Sequence, residues 1–122
     1  MTIAETVAEF SSRHPEAPAV MLPTDKGIAL GLSGALEMRI SHDIDGLLSA
    51  VIDLAEVGQP LVVDLGRVDY ISSTGVGSLV MALTRARKRN ITLSLRDLTD
   101  KVRSVFDLLG FLQFFGESRT HE

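Results

Sequence analysis

Three side-chain hydroxyls and two glycines stand together in the stretch DYISSTGVGSLV, residues 69–80. Ser72, Ser73 and Thr74 close an apolar run. Gly75 and Gly77 come next, and Val76, Leu79, Val80 and Leu83 recur at helical spacing. A hydroxyl at such a strand-to-helix corner can cap the helix, attack an electrophile, or accept a phosphoryl group. Capping needs one serine and contributes about 1 kcal/mol. It explains neither three hydroxyls in a row nor two glycines, each costing a helix about 1 kcal/mol relative to alanine. A phosphate at this corner would meet free N–H groups and the positive end of the helix dipole, so the domain could carry it without unfolding. Glycines there also lower the surface and let a second backbone approach. Spacing alone leaves both capping and modification open.

Enzymatic readings of the same residues fit less well. A phosphate-cradling P-loop needs a lysine that does not follow GVGS. The G-x-S-x-G spacing of a hydrolase elbow is absent. The three histidines are His14, His42 and His121; two lie in terminal segments and one starts a helix, so no triad partner is evident. His42 with Asp43 and Asp45 could suggest a metal site, but neighbours in sequence diverge around a helix and no second cluster completes a shell. No metal or cofactor is expected, and the enzymatic readings stay open as the weaker ones. The RARKR run, Arg85 to Arg89, reads as a solvated face that favours the negative end of a helix. Asp64 and Asp69 flank the approach to the corner. Strand-end roles are the simpler reading for them, and orienting a protein that modifies the corner is the other. Phe111, Phe114 and Phe115 would close the core, with a self-association patch as the alternative.

The elements that position the corner follow from periodicity and punctuation. Residues 1–18 form an N-terminal arm, either loose or helical with Ile3, Val7 and Phe10 on one face. AVML and IALGLSGALE read as strands, the first ended or kept at an edge by Pro23. Ser41 would cap a helix with Asp43 and Asp45 in its first turn, stopped by Gly58 and Pro60. LVVDL reads as a central strand buried on both faces. The corner and its helix come next, then the strand ITLSL and a helix capped by Thr99 and stopped by Gly110. FLQFF is a last short strand or a packed tail, followed by a C-terminal tail, residues 117–122. This alternation implies an α/β domain over residues 19–116, a small mixed sheet of about four to five strands with helices packed against it.

Composition sets the outer limits. In 122 residues, 45% hydrophobic and 23% charged side chains describe one globular domain with an ordinary core. The absence of cysteine excludes disulfides and thiolate chemistry and fits a reducing, cytoplasmic compartment. A formal charge of −4 argues against nucleic acid. No stretch approaches the roughly 18 apolar residues of a membrane span, and the acidic start does not read as a signal peptide.

Across residues 19–115 the chain resembles a STAS domain of the anti-sigma factor antagonist type, a family of bacterial partner-switching regulators. The resemblance is carried by LSGALE, by VVDLGRVDYISSTGVGSLV and by VRSVFDLLGF, in that order. Members typically read Asp-Ser-Ser/Thr-Gly-Leu/Ile-Gly at the corner. Ser73 falls on the serine that the family's kinase partner phosphorylates, Thr74 on the next hydroxyl, and Gly75 and Gly77 on the two glycines. Ser72 stands where many members carry aspartate. The resemblance implies a protein that binds an anti-sigma factor, itself an ATP-dependent serine kinase, and that phosphorylation releases until a phosphatase resets it. Ser73 is the expected acceptor, with Ser72 and Thr74 as alternative hydroxyls. The expected partner surface is Ser72, Ser73, Thr74, Gly75, Val76 and Gly77. The rival expectations are a non-switching accessory module in a signalling or lipid-transport complex, and a small serine-nucleophile enzyme. The sigma factor, the signal and the oligomeric state are not legible.

Overall fold

A computed structural model describes residues 1–118; His121 and the end of the tail lie outside the described residues. A three-residue strand, β1 (Val20–Leu22), pairs antiparallel with β2 (Ile28–Leu36). β3 (Pro60–Ile71), β4 (Thr92–Arg96) and β5 (Gly116–Ser118) then add in chain order, each parallel to the one before. Between them run α2 (Met38–Leu54), α3 (Ser73–Lys88) and α4 (Asp100–Leu108), and α1 (Ile3–Arg13) precedes the sheet. β1 is an edge strand and ends one residue before Pro23, as the missing N–H of proline demands.

Parallel crossovers are right-handed, so a sheet whose strands follow in sequence carries all its crossover helices on one face. Burial along β3 shows this. Leu61, Val63, Leu65, Val68 and Ile71 are buried, while Val62 and Asp64 are only half-buried. This corrects the expectation of a strand buried on both faces: the apolar run satisfies one covered face and leaves the other partly open. The buried side joins Leu30, Ile44, Leu48, Ile52, Leu79, Val102 and Phe106 in one hydrophobic core.

The N-terminal residues are helical. Thr2 accepts a hydrogen bond from Glu5 N at 3.1 Å while Thr2 N donates to the Glu5 carboxylate at 2.8 Å, a reciprocal capping box. Val7 and Phe10 are buried in the common core. At the end of α1, His14 donates from Nε2 to Asp43 at 2.7 Å, and Arg13 lies 3.5 Å from the same carboxylate.

α2 departs from the sequence reading at its start. It begins at Met38 with Glu37 as N-cap, and Ser41 lies inside the first turn, its hydroxyl within 3.1 Å of Glu37 O. The chain turns directly out of β2 at Leu36, so no serine is needed to begin the helix. The terminal FLQFF is a 3₁₀ turn, Leu112–Phe114, with β5 starting just after Phe115. Phe115 is buried edge-on against Phe106, at 5.8 Å between ring centres, whereas Phe114 is exposed. No helix among the described residues is long and apolar enough to cross a membrane.

Candidate functional site

β2 and β3 end level with each other, Leu36 opposite Ile71, and a helix starts from each end. The carboxyl ends of parallel strands are where α/β sheets expose functional groups. The Leu36 carbonyl is the joint: it accepts from Ser72 N at 3.0 Å and from Ser72 Oγ at 3.1 Å.

Ser72 is the cap of α3, with extended backbone and a side chain accepting from Gly75 N at 3.1 Å. Its hydroxyl also lies 2.8 Å from Thr74 Oγ1, which lies 2.9 Å from Ser41 Oγ. Each hydroxyl has one proton: when Ser41 donates to Thr74 rather than to Glu37 O, Thr74 donates to Ser72 and Ser72 to the Leu36 carbonyl. Two of the three corner hydroxyls are thus committed to joining α2, α3 and β2. Ser73 is not. It occupies the first helical position, is exposed, and its side chain makes no hydrogen bond among the described residues. The first N–H groups of a helix lack intrahelical acceptors, so Ser73 sits beside open donors.

The two glycines serve different ends. A Cβ on Gly75 would lie 2.9 Å from the Leu36 carbonyl oxygen and 2.9 Å from Ile71 Cγ1. Gly75 is therefore the residue that lets α3 start against the strand ends. A Cβ on Gly77 would meet nothing within 4 Å. Packing among the described residues does not require a glycine there, and it leaves an open spot one turn from Ser73. Val76 is fully buried in the core and Gly75 is buried as well. Of the residues expected to form the partner surface, Ser73 and Thr74 are exposed, and Ser72 and Gly77 are half-buried.

Sequence reasoning missed several neighbours. Ser41 was expected as a helix cap and instead holds Thr74. Met81 is 67% exposed one turn beyond Gly77, and Met38, which starts α2, is 71% exposed. The spacing of Thr74, Gly77 and Met81 was available to find the first; Met38 depended on where α2 begins. Asp45 faces the seam between α2 and α3, where its Oδ1 is buried without a partner.

The other candidates resolve into structural roles. Asp64 accepts from Arg96 Nε at 2.9 Å and from Gly66 N at 2.8 Å, so both its oxygens are engaged. Asp69 is exposed near the end of β3. Asp43 is held below the usual carboxylate range by the hydrogen bond from His14. Among the described residues no group of three histidines or carboxylates could hold a metal ion. The arginines of the cationic run lie along the surface and have partners: Arg85 grips Asp53 through two nitrogens, at 2.9 and 2.6 Å. Arg89 donates to the carbonyls of Ile52 and Ala55 at the end of α2, and Arg87 lies 3.4 Å from Phe114 O.

The family model described as "Mlab, STAS domain" matches residues 23–115. BtrV of Bordetella bronchiseptica, which is named for the role of anti-sigma factor antagonist, is 33% identical over 91 residues, covering 75% of this chain and 77% of its own. The anti-sigma-B factor antagonist of Bacillus subtilis is 30% identical over 80 residues, covering 62% and 73%. The solved structure of the Bacillus anti-sigma factor antagonist SpoIIAA superposes with a TM-score of 0.65 unphosphorylated, at 19% identity over 82% of this chain and 87% of that one, and 0.60 phosphorylated. A family model spanning residues 23–115 and a relative 33% identical over three quarters of each chain place this protein in the STAS-domain family of anti-sigma factor antagonists.

Proposed function

We propose that this protein works in the cytoplasm by binding an anti-sigma factor that is also a serine kinase, and that phosphorylation of Ser73 by that kinase releases it. A phosphatase restores the binding form. The protein itself catalyses nothing; the kinase supplies ATP and chemistry. One observation carries this reading: Ser73 is the corner hydroxyl that the fold leaves exposed and unbonded, while Ser72 and Thr74 hold elements together. Gly77, where a Cβ would meet nothing within 4 Å among the described residues, supports close approach of a partner at the same place. The two forms in which SpoIIAA has been solved support a phosphate on this fold.

Charge alone makes such a switch effective. Phosphorylation adds about −1.5 to −2 units to a hydroxyl that would face the partner. Leaving a charge buried without compensation at an interface costs roughly 3–5 kcal/mol. At about 1.4 kcal/mol per decade, affinity falls by about two to three and a half decades. Beside the N-terminus of α3 the phosphate is supported locally, so release requires no refolding. The test is incubation with the captured kinase and ATP, followed by mass mapping. Phosphate should appear on Ser73, and undiminished modification of a Ser73→Ala variant would reject the assignment. A stable complex indifferent to ATP would instead favour a non-switching accessory module.

A further inference from the structure

A parallel sheet is ordinarily covered on both faces. Here the crossover helices occupy one, and the other carries a cleft that partner binding at the corner does not use. Across that face the strand register aligns Val20, Gly31, Asp64 and Arg96 in one row. Gly31 contributes no side chain, and the hollow there has a volume of about 310 Å³. That lies at the small end of the roughly 300–1,000 Å³ found for ligand clefts. Val20, Leu22 and Pro23 form an apolar wall, and Arg67 and Arg96 stand opposite.

The two arginines have unused donors. Arg96 is 17% exposed and engages Asp64 through Nε alone, with Asp97 3.8 Å from that same nitrogen. Its terminal N–H groups make no hydrogen bond among the described residues. Arg67 is exposed and has neither an ion pair nor a hydrogen bond there. A guanidinium held at depth with open N–H groups beside an apolar wall matches a carboxylate with a hydrocarbon tail.

We propose that this cleft binds a small organic monoanion of the medium-chain carboxylate class. The tail lies on Val20, Leu22 and Pro23, and the carboxylate takes N–H groups of Arg67 and Arg96. Charge selects the head group. Arg96 is shared by Asp64 and Asp97, and Arg67 is the lining cation that has no carboxylate partner among the described residues. A phosphate monoester would bring about −1.5 to −2 units close to Asp64 and Asp97.

Titrating the ¹⁵N-labelled full chain with sodium decanoate tests this without any partner protein. Saturable amide shifts are expected at residues 20–23, 31–33, 64–67 and 96, and neither acetate nor decyltrimethylammonium should reproduce them. Arg67→Gln should weaken decanoate by about tenfold, the loss of a charge-assisted hydrogen bond. Gly31→Val should abolish it by filling the hollow. Its Cβ would lie 3.2 Å from the ends of the Leu22 and Val20 side chains, which can shift, and spectral dispersion reports whether the fold is kept. Equal shifts from the ammonium amphiphile, shifts that map instead to a second groove lined by Thr6 and Glu9 of α1 and Gly46 and Ala50 of α2, or unchanged affinity in Arg67→Gln would each overturn the proposal.

Discussion

The two ends of α3 both look functional in the sequence, one by its hydroxyls and glycines, the other by four cations in five residues. Folding treats them oppositely. At the C-terminal end Arg85 is taken by Asp53, Arg87 by the carbonyl of Phe114, and Arg89 by the last carbonyls of α2, while Lys88 has no partner among the described residues. At the N-terminal end Ser72 and Thr74 are taken in the same way, but Ser73 and the open face of Gly77 are left over. Candidate function therefore lies in what the fold does not consume. A cluster of reactive residue types carries little information until its internal partners are subtracted.

Substitutions at the two ends should separate accordingly. The largest effect is expected from Ser73→Glu, which places a fixed charge on the unconsumed hydroxyl. Binding to the captured anti-sigma factor should weaken by about a hundredfold or more, with the melting curve unchanged. Wild-type affinity in that variant would remove the basis for the contrast. Next comes Gly75→Ala, which should cost about 1–3 kcal/mol in urea denaturation because the new methyl group meets backbone at Leu36. Gly77→Ala sharpens the comparison, since it should stabilise the domain by up to about 1 kcal/mol while weakening the complex. If it left binding untouched, that glycine would have no interface role.

Arg85→Ala, at the other end, should do least, because an exposed pair is well screened. Its signature is in acid. The hydrogen bond from Arg85 holds the Asp53 carboxyl below its usual range. The folded pKa is thus lower than the unfolded one, so the pair stabilises the protein above the unfolded pKa and its contribution disappears as pH falls through the folded value. Denaturation curves of variant and wild type should converge toward low pH. Curves that stay parallel would show that the pair is not coupled to folding.

Much of this was legible from residues alone. Pro23 ended an edge strand, Thr99 capped α4, and Gly110 adopts the positive φ of 78° expected of a helix stop. Each follows from a local rule about φ angles or missing donors, and local rules survive folding. The start of α2 was misplaced because it is fixed by the end of β2 rather than by a cap. β3 was misjudged because alternation in burial depends on which face the helices take, and that is a property of strand order.

The sequence by itself determined the alternation of strands and helices, the family, and the collection of hydroxyls and glycines at one corner. Those depend on periodicity, turn chemistry and residue order along the chain. Only the tertiary structure decided that Ser41 reaches Thr74 across 33 positions, that a Cβ would clash at Gly75 and not at Gly77, and that one face of the sheet is left partly open. Such facts depend on which groups meet after the strands align, and contact between distant segments is set by packing rather than by any pattern within either one.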